Sequence, residues 1–155
     1  MHMPPPNEHH ERLAKVFAGT WKGTETMHPS EWDPKGSEAP ATTTWRRDLG
    51  NYALIVDYEI HNVGHPNYRG HGVYTIEPET NDVVVHWFDS IAGQPEIFRG
   101  KWDGDVLTTQ SKSPMGHMRL RYDFSEPGKM KSSGKMSADG ETWKPMFDGV
   151  HVRQD

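Results

Sequence analysis

The chain has 155 residues, with 17 Lys and Arg against 22 Asp and Glu, a formal charge of −5 and no Cys. That length suits one domain able to bury a core without a staple. The acidic balance is a poor match for nucleic-acid phosphates, and the missing thiols exclude disulfides, thiolate metal sites and a Cys nucleophile.

No run of 18 apolar residues is present to span a bilayer. Six Trp, five Tyr and five Phe are more aromatic side chain than a disordered polar chain carries. Residues 1–6 form a Pro-rich tail without the basic-then-apolar order of a secretory leader, which makes the cytoplasm the expected compartment. Residues 7–155 read as one domain.

Asn7 is placed to cap a helix over Glu8 to Phe17, where Leu13, Val16 and Phe17 form a narrow apolar stripe and Gly19 supplies the stop. Beyond it the period changes to two. Strands are expected to begin near Thr20, Thr42, Ala53, Tyr68, Val83, Glu96, Val106, Met118, Met130 and Thr142. Tyr52, Leu54, Val56, Tyr58 and Ile60 alternate with Ala53, Ile55, Asp57, Glu59 and His61. Met118, Leu120, Tyr122 and Phe124 alternate with His117, Arg119, Arg121 and Asp123. Turn signals such as Leu49-Gly50-Asn51, Glu126-Pro127-Gly128 and Ala138-Asp139-Gly140 separate neighbours by a few residues, so the strands are antiparallel. Only Pro29 to Pro40 reads as a longer loop. A meander of about ten strands must hide its edges, and an all-β, up-and-down barrel with a short N-terminal helix does so. A two-sheet sandwich of the same strand count is the rival architecture.

Several segments carry a family resemblance in order along the chain. They are Glu8 to Leu13 leading to Gly19-Thr20-Trp21-Lys22-Gly23, Trp45 to Gly50, Tyr68 to Tyr74, Trp87 to Ser90, Trp102 to Asp105 and Val150 to Arg153. Together they resemble a bacterial calycin-like family known only as a domain of unknown function, DUF1579. The resemblance implies a lipocalin-like or fatty-acid-binding-protein-like barrel with an internal pocket, and no activity. The chain departs from the family pattern by its histidines at 61, 65, 86 and 151.

The expected role is binding of a small, partly apolar organic molecule in the barrel. Tyr58, Met118 and Tyr122 would form the apolar wall. On the last strand Phe147, Gly149, His151 and Arg153 share a face. The internal Arg and Tyr of fatty-acid-binding proteins resemble His151 and Arg153, which implies an anionic head group held by charge-assisted hydrogen bonds. Nitrobindins resemble the same architecture and imply the alternative, haem with His151 as axial ligand. A third reading is an enzyme with His86 or His71 as acid–base. His86 lies in the uniform run Val83 to Ser90; if Trp87 and Asp89 face inward, His86 lies outside. His61 and His65 share a loop-like spacing that makes a poor metal site. No membrane partner is expected, and the sequence leaves a homodimer open.

Overall fold

The computed structural model describes residues 4–31, 33–62, 64, 66–91 and 93–155. Helix α1 spans Glu8–Phe17 and is followed by β1 (Gly19–Met27), β2 (Ser37–Asp48), β3 (Ala53–Ile60), β4 (Tyr68–Ile76) and β5 (Val83–Asp89). Then come β6 (Glu96–Asp103), β7 (Val106–Ser113), β8 (Gly116–Asp123), β9 (Lys129–Ser137) and β10 (Lys144–Arg153). Each strand pairs antiparallel with its neighbours in sequence, and β1 closes the ring on β10, with Gly23 opposite His151 and Glu25 opposite Gly149. No edge is left between sheets, so the expected barrel is the observed architecture and a sandwich is excluded.

The helix begins where the sequence places it. The Asn7 side chain accepts from the backbone N–H of His9 at 2.9 Å, and His10 Nδ1 in turn accepts from Asn7 N–H at 3.0 Å, a reciprocal cap. Its buried face is Leu13, Ala14 and Phe17, with Ala14 taking the place expected of Val16, which is half-buried. Two arginines of the barrel strands reach the helix, and Arg12 of the helix lies 4.2 Å over the Trp102 ring. Arg47 of β2 makes a bidentate pair with Glu11, at 3.0 and 2.7 Å, and Arg153 donates to the carbonyls of Val16 and Ala18. These carbonyls belong to the end of the helix where partial negative charge gathers, so a guanidinium is stabilising there.

Most strand starts agree with the sequence, but β2 begins at Ser37, five residues ahead of Thr42, and takes Pro40 into the ladder. Residues 37–40 of β2 pair with β1 alone, because the ladder with β3 ends at Ala41 opposite Ile60. Proline is tolerated there because one of its strand's sides is unpaired. Its carbonyl still accepts from His61 N–H at 2.8 Å.

Alternation divides the interior into two halves. Nearer the helix the inward side chains are aromatic and aliphatic: Trp21, Trp45, Leu54, Val56, Tyr74 and Phe98 gather around Phe17. The far half lies toward the rim of residues 28–31, 33–36, 61–62, 64, 66–67, 90–91, 93–95, 114–115 and 138–143. Its inward positions are more polar: Glu25, Tyr58, Tyr68, Asp89, Glu96, Ser111, Ser132 and His151.

Candidate functional site

The far half is organised around two glycines. Glu25 of β1 stands directly opposite Gly149 of β10, and His151 directly opposite Gly23. A Cβ on Gly149 would fall 2.6 and 2.7 Å from the Glu25 carboxyl oxygens and 2.5 Å from Ser132 Oγ, so the carboxyl group lies against bare backbone. This lets Glu25 and His151 meet diagonally, Nε2 to Oε1 at 2.7 Å, with each residue only 1% exposed. Glu25 Oε2, His151 Nδ1 and, on β7, Thr109 Oγ1 are buried without a hydrogen-bond partner. Buried polar atoms without partners are rare and point to a structural or functional use.

Beside this pair is an aromatic panel. Tyr58 meets Tyr68 at 5.9 Å and Trp87 at 6.0 Å between ring centroids, both edge-on. The Trp87 indole lies flat on β4 because Gly70 and Gly72 have no side chains; a Cβ on Gly70 would sit 2.2 Å from the indole. Asp89 accepts from Tyr68 Oη at 3.0 Å and from Trp87 Nε1 at 3.2 Å. Across the lumen, Ser111 Oγ donates to Glu96 at 2.6 Å.

The tyrosines respond to this enclosure. Burial, and then the Glu25 carboxyl group, raises the Tyr58 phenol far above its ordinary range. Burial and then Asp89 raise Tyr68, and burial and then Tyr122 raise Tyr74. Burial pushes Tyr122, whose hydroxyl lies 3.3 Å from that of Tyr74, up to about 12. As pH rises past about 10, phenols of the unfolded chain lose protons that the folded barrel retains, so stability falls from that point upward. A 295 nm titration followed together with far-UV circular dichroism should show most phenolate appearing as the barrel unfolds. Smooth ionisation near pH 10 with the barrel intact would mean that solvent reaches these rings.

The structure brings Tyr58, Met118, Tyr122 and His151 to the inner surface, and Trp87 and Asp89 face inward with them. His86 therefore lies on the outer face, paired across the ladders with Val73 and Ile97. His71 is also outside, with Nδ1 2.8 Å from Asp57 of β3, because its flanking Gly70 and Gly72 occupy the inward positions. Neither imidazole reaches a molecule in the lumen. Arg153 is inward-facing but lies at the helix end, bonded to α1 and 4.6 Å over the Trp21 ring, far from a head group beside Tyr58. It borders a groove of about 510 Å³ between α1 and the β8–β9 turn, shared with Arg12, Lys15, Phe124 and Lys129.

Haem would need an imidazole nitrogen free to face iron. His151 Nε2 is bonded to Glu25 and the ring is only 1% exposed, so the residues as arranged do not fit an axial ligand. Among the described residues no group of three or more His, Asp or Glu could hold a metal. His65 lies outside the described residues. No described helix is long and apolar enough to cross a membrane.

Glu25 was missed by the sequence reading, although the signal was there. In Gly19-x-Trp21-x-Gly23-x-Glu25 the period of two puts a carboxyl group on the same face as a core Trp.

The fold and site together define a closed ten-stranded antiparallel barrel with one end filled by a helix and polar residues inside the other half. The chain belongs to the family described as protein of unknown function (DUF1579), whose model matches residues 5–153. No curated protein matches it in sequence. In fold it is similar to Rv2717c from M. tuberculosis, at 14% identity and a TM-score of 0.72, covering 96% of this chain and 99% of that one. It is also similar to the S-type phycobiliprotein lyase CPES from Guillardia theta, at 10% identity and 0.63, covering 94% and 92%. A redesigned β-barrel aligns at 19% identity and 0.51, covering 93% and 96%. At these identities the likeness concerns the fold.

Proposed function

We propose that the protein binds a small, partly apolar organic molecule in the half of its lumen away from the helix. The observation that carries this reading is the pair of unpartnered buried polar atoms at Glu25 and His151, beside the Tyr58, Tyr68 and Trp87 panel. A barrel needing only stability would fill these positions with apolar side chains, as the helix half does, because each unsatisfied buried group costs about 1–3 kcal/mol. Binding sites commonly combine apolar walls with a few convergent polar groups. The likeness to a phycobiliprotein lyase supports small-molecule handling as the class of role without supplying a ligand.

Nile red, an uncharged apolar dye, provides the test. Its fluorescence should rise saturably at one dye per chain, and Met118→Trp, which fills the lumen, should reduce affinity at least tenfold with circular dichroism unchanged. Ile97→Ser alters an exposed outer residue, 51% accessible, and should leave binding as it is. Loss of binding in Ile97→Ser with retention in Met118→Trp would overturn the lumen reading in favour of the outer surface.

A further inference from the structure

The inward charges of the far half are unequal. Glu25 from β1, Asp89 from β5 and Glu96 from β6 share it with a single imidazole, His151. The two arginines on inward positions, Arg47 and Arg153, are at the helix end and already partnered. Lys144 is exposed at the rim, beyond the bulge between Pro145 and Phe147. An anionic head group in this space would meet three acidic side chains and no free guanidinium or ammonium among the described residues.

We propose that the lumen site takes an organic cation, an ammonium or amidinium group carried on a small apolar body. This rests on the lumen-binding reading above and specifies its ligand. The aromatic panel and the acids fit that chemistry jointly. The Tyr58 hydroxyl interacts with the Glu25 carboxyl group and its ring meets those of Tyr68 and Trp87, which both donate to Asp89. A cation seated against the ring faces gains their quadrupole attraction, which grows when water is excluded. The two carboxyl groups flanking the panel add Coulomb attraction in the same low-dielectric space.

Hydrogen bonding agrees with the charge. Glu25 Oε2 can only accept when the carboxyl group is ionised, and it has no donor. A ligand N–H would satisfy it. The panel is also fixed before a ligand arrives: Gly70 and Gly72 seat the indole, and Asp89 holds Trp87 and Tyr68 in register, so little ordering is required on binding. Asp89 and Glu96 each already accept from internal donors, whereas Glu25 Oε2 is the carboxyl oxygen left open for contact.

The experiment compares three probes of one shape by calorimetry and tryptophan fluorescence: benzyltrimethylammonium, benzyl alcohol and benzoate. The expected result is one-to-one binding of benzyltrimethylammonium, at least tenfold tighter than either of the others. Glu25→Gln and Asp89→Asn should each weaken it about tenfold while circular dichroism stays as in the parent. Two substitutions on different strands keep the test valid if one of them fails to fold. Equal or tighter binding of benzoate or benzyl alcohol, weakened by Met118→Trp, would overturn the cation and leave lumen binding standing. Cation binding insensitive to Glu25→Gln, Asp89→Asn and Met118→Trp would place the probe on the acidic outer surface and overturn the proposal. No binding of any probe also overturns it, and the Nile red result then decides separately whether the lumen binds anything.

Discussion

Replacing His151 with alanine should lower folding stability by roughly 3–5 kcal/mol, against a total of about 5–15 kcal/mol for an ordinary domain. The reason is the partner left behind. Glu25 is 1% exposed, its Oε1 lies 2.7 Å from the imidazole Nε2, and its other neighbour is the neutral Tyr58 hydroxyl. Without His151 the carboxyl group keeps its burial and loses its one basic partner, with only the Tyr58 hydroxyl left beside it. Glu25→Ala should be costly in the same sense, because it leaves a buried imidazole with neither nitrogen bonded. The double replacement Glu25→Met with His151→Leu fills the space with apolar atoms and should recover at least about 2 kcal/mol over either single variant. Urea unfolding of the four proteins measures this directly, provided the slopes with denaturant agree. A loss below about 1 kcal/mol in His151→Ala would show that water reaches the carboxyl group.

That comparison bears on function. If the apolar double variant is as stable as the parent or more so, the carboxyl–imidazole pair is not explained by stability. Loss of ligand binding in the same variant would then give the reason for its presence. The pair and the aromatic panel form one connected surface, Glu25 beside Tyr58 and Tyr58 beside Trp87, so the substitutions should couple when combined with Trp87→Phe.

Much of this architecture was legible because the strands alternate. Met118, Leu120, Tyr122 and Phe124 all face the core, and the shared face of His151 and Arg153 is real. Between Val83 and Val85 alternation gives no direction, because all three residues are buried. The information that settles it is on the neighbouring strand. Trp87 is paired with Gly72 and Asp89 with Gly70, so the largest side chain lies over glycines and both must share the inward face. This also puts His71, between those glycines, outside. The Gly-His-Gly sequence is thus a seat for an indole, legible only once the strand pairing is known.

Arg153 shows a different limit. Its inward position follows from the period of two, but its partners do not. The carbonyls of Val16 and Ala18 reach it because β10 closes on β1 and brings the helix end over the last residues of the chain. A contact between residues 135 apart is set by closure of the ring, which no local pattern records. Glu25 was the reverse case, a local signal passed over because acidic residues are commonly assigned to the outer face.

Phe17→Ala should remove about 3–5 kcal/mol, comparable to breaking the buried pair but by another mechanism. Phe17 is 0% exposed and stacks on Trp45 at 4.2 Å, with Phe124 at 4.9 Å and Tyr122 at 5.6 Å meeting it edge-on. Truncation loses the transfer energy of the ring, the aromatic contacts and the packing of a space that rigid neighbours cannot collapse to fill. The effect should also be local. A ten-residue helix is too short to persist alone in water, so α1 depends on this residue, on Leu13 and on the two arginine ties. In hydrogen exchange the amides of residues 12–17 should lose protection before those of β3 to β8, while Trp87 fluorescence and Nile red binding, which report on the other half, change little. Equal loss of protection in helix and strands would mean that the helix is part of the barrel's cooperative unit and that its end cannot open independently. A stability loss under about 1 kcal/mol would mean that the aromatic cluster repacks around the vacancy.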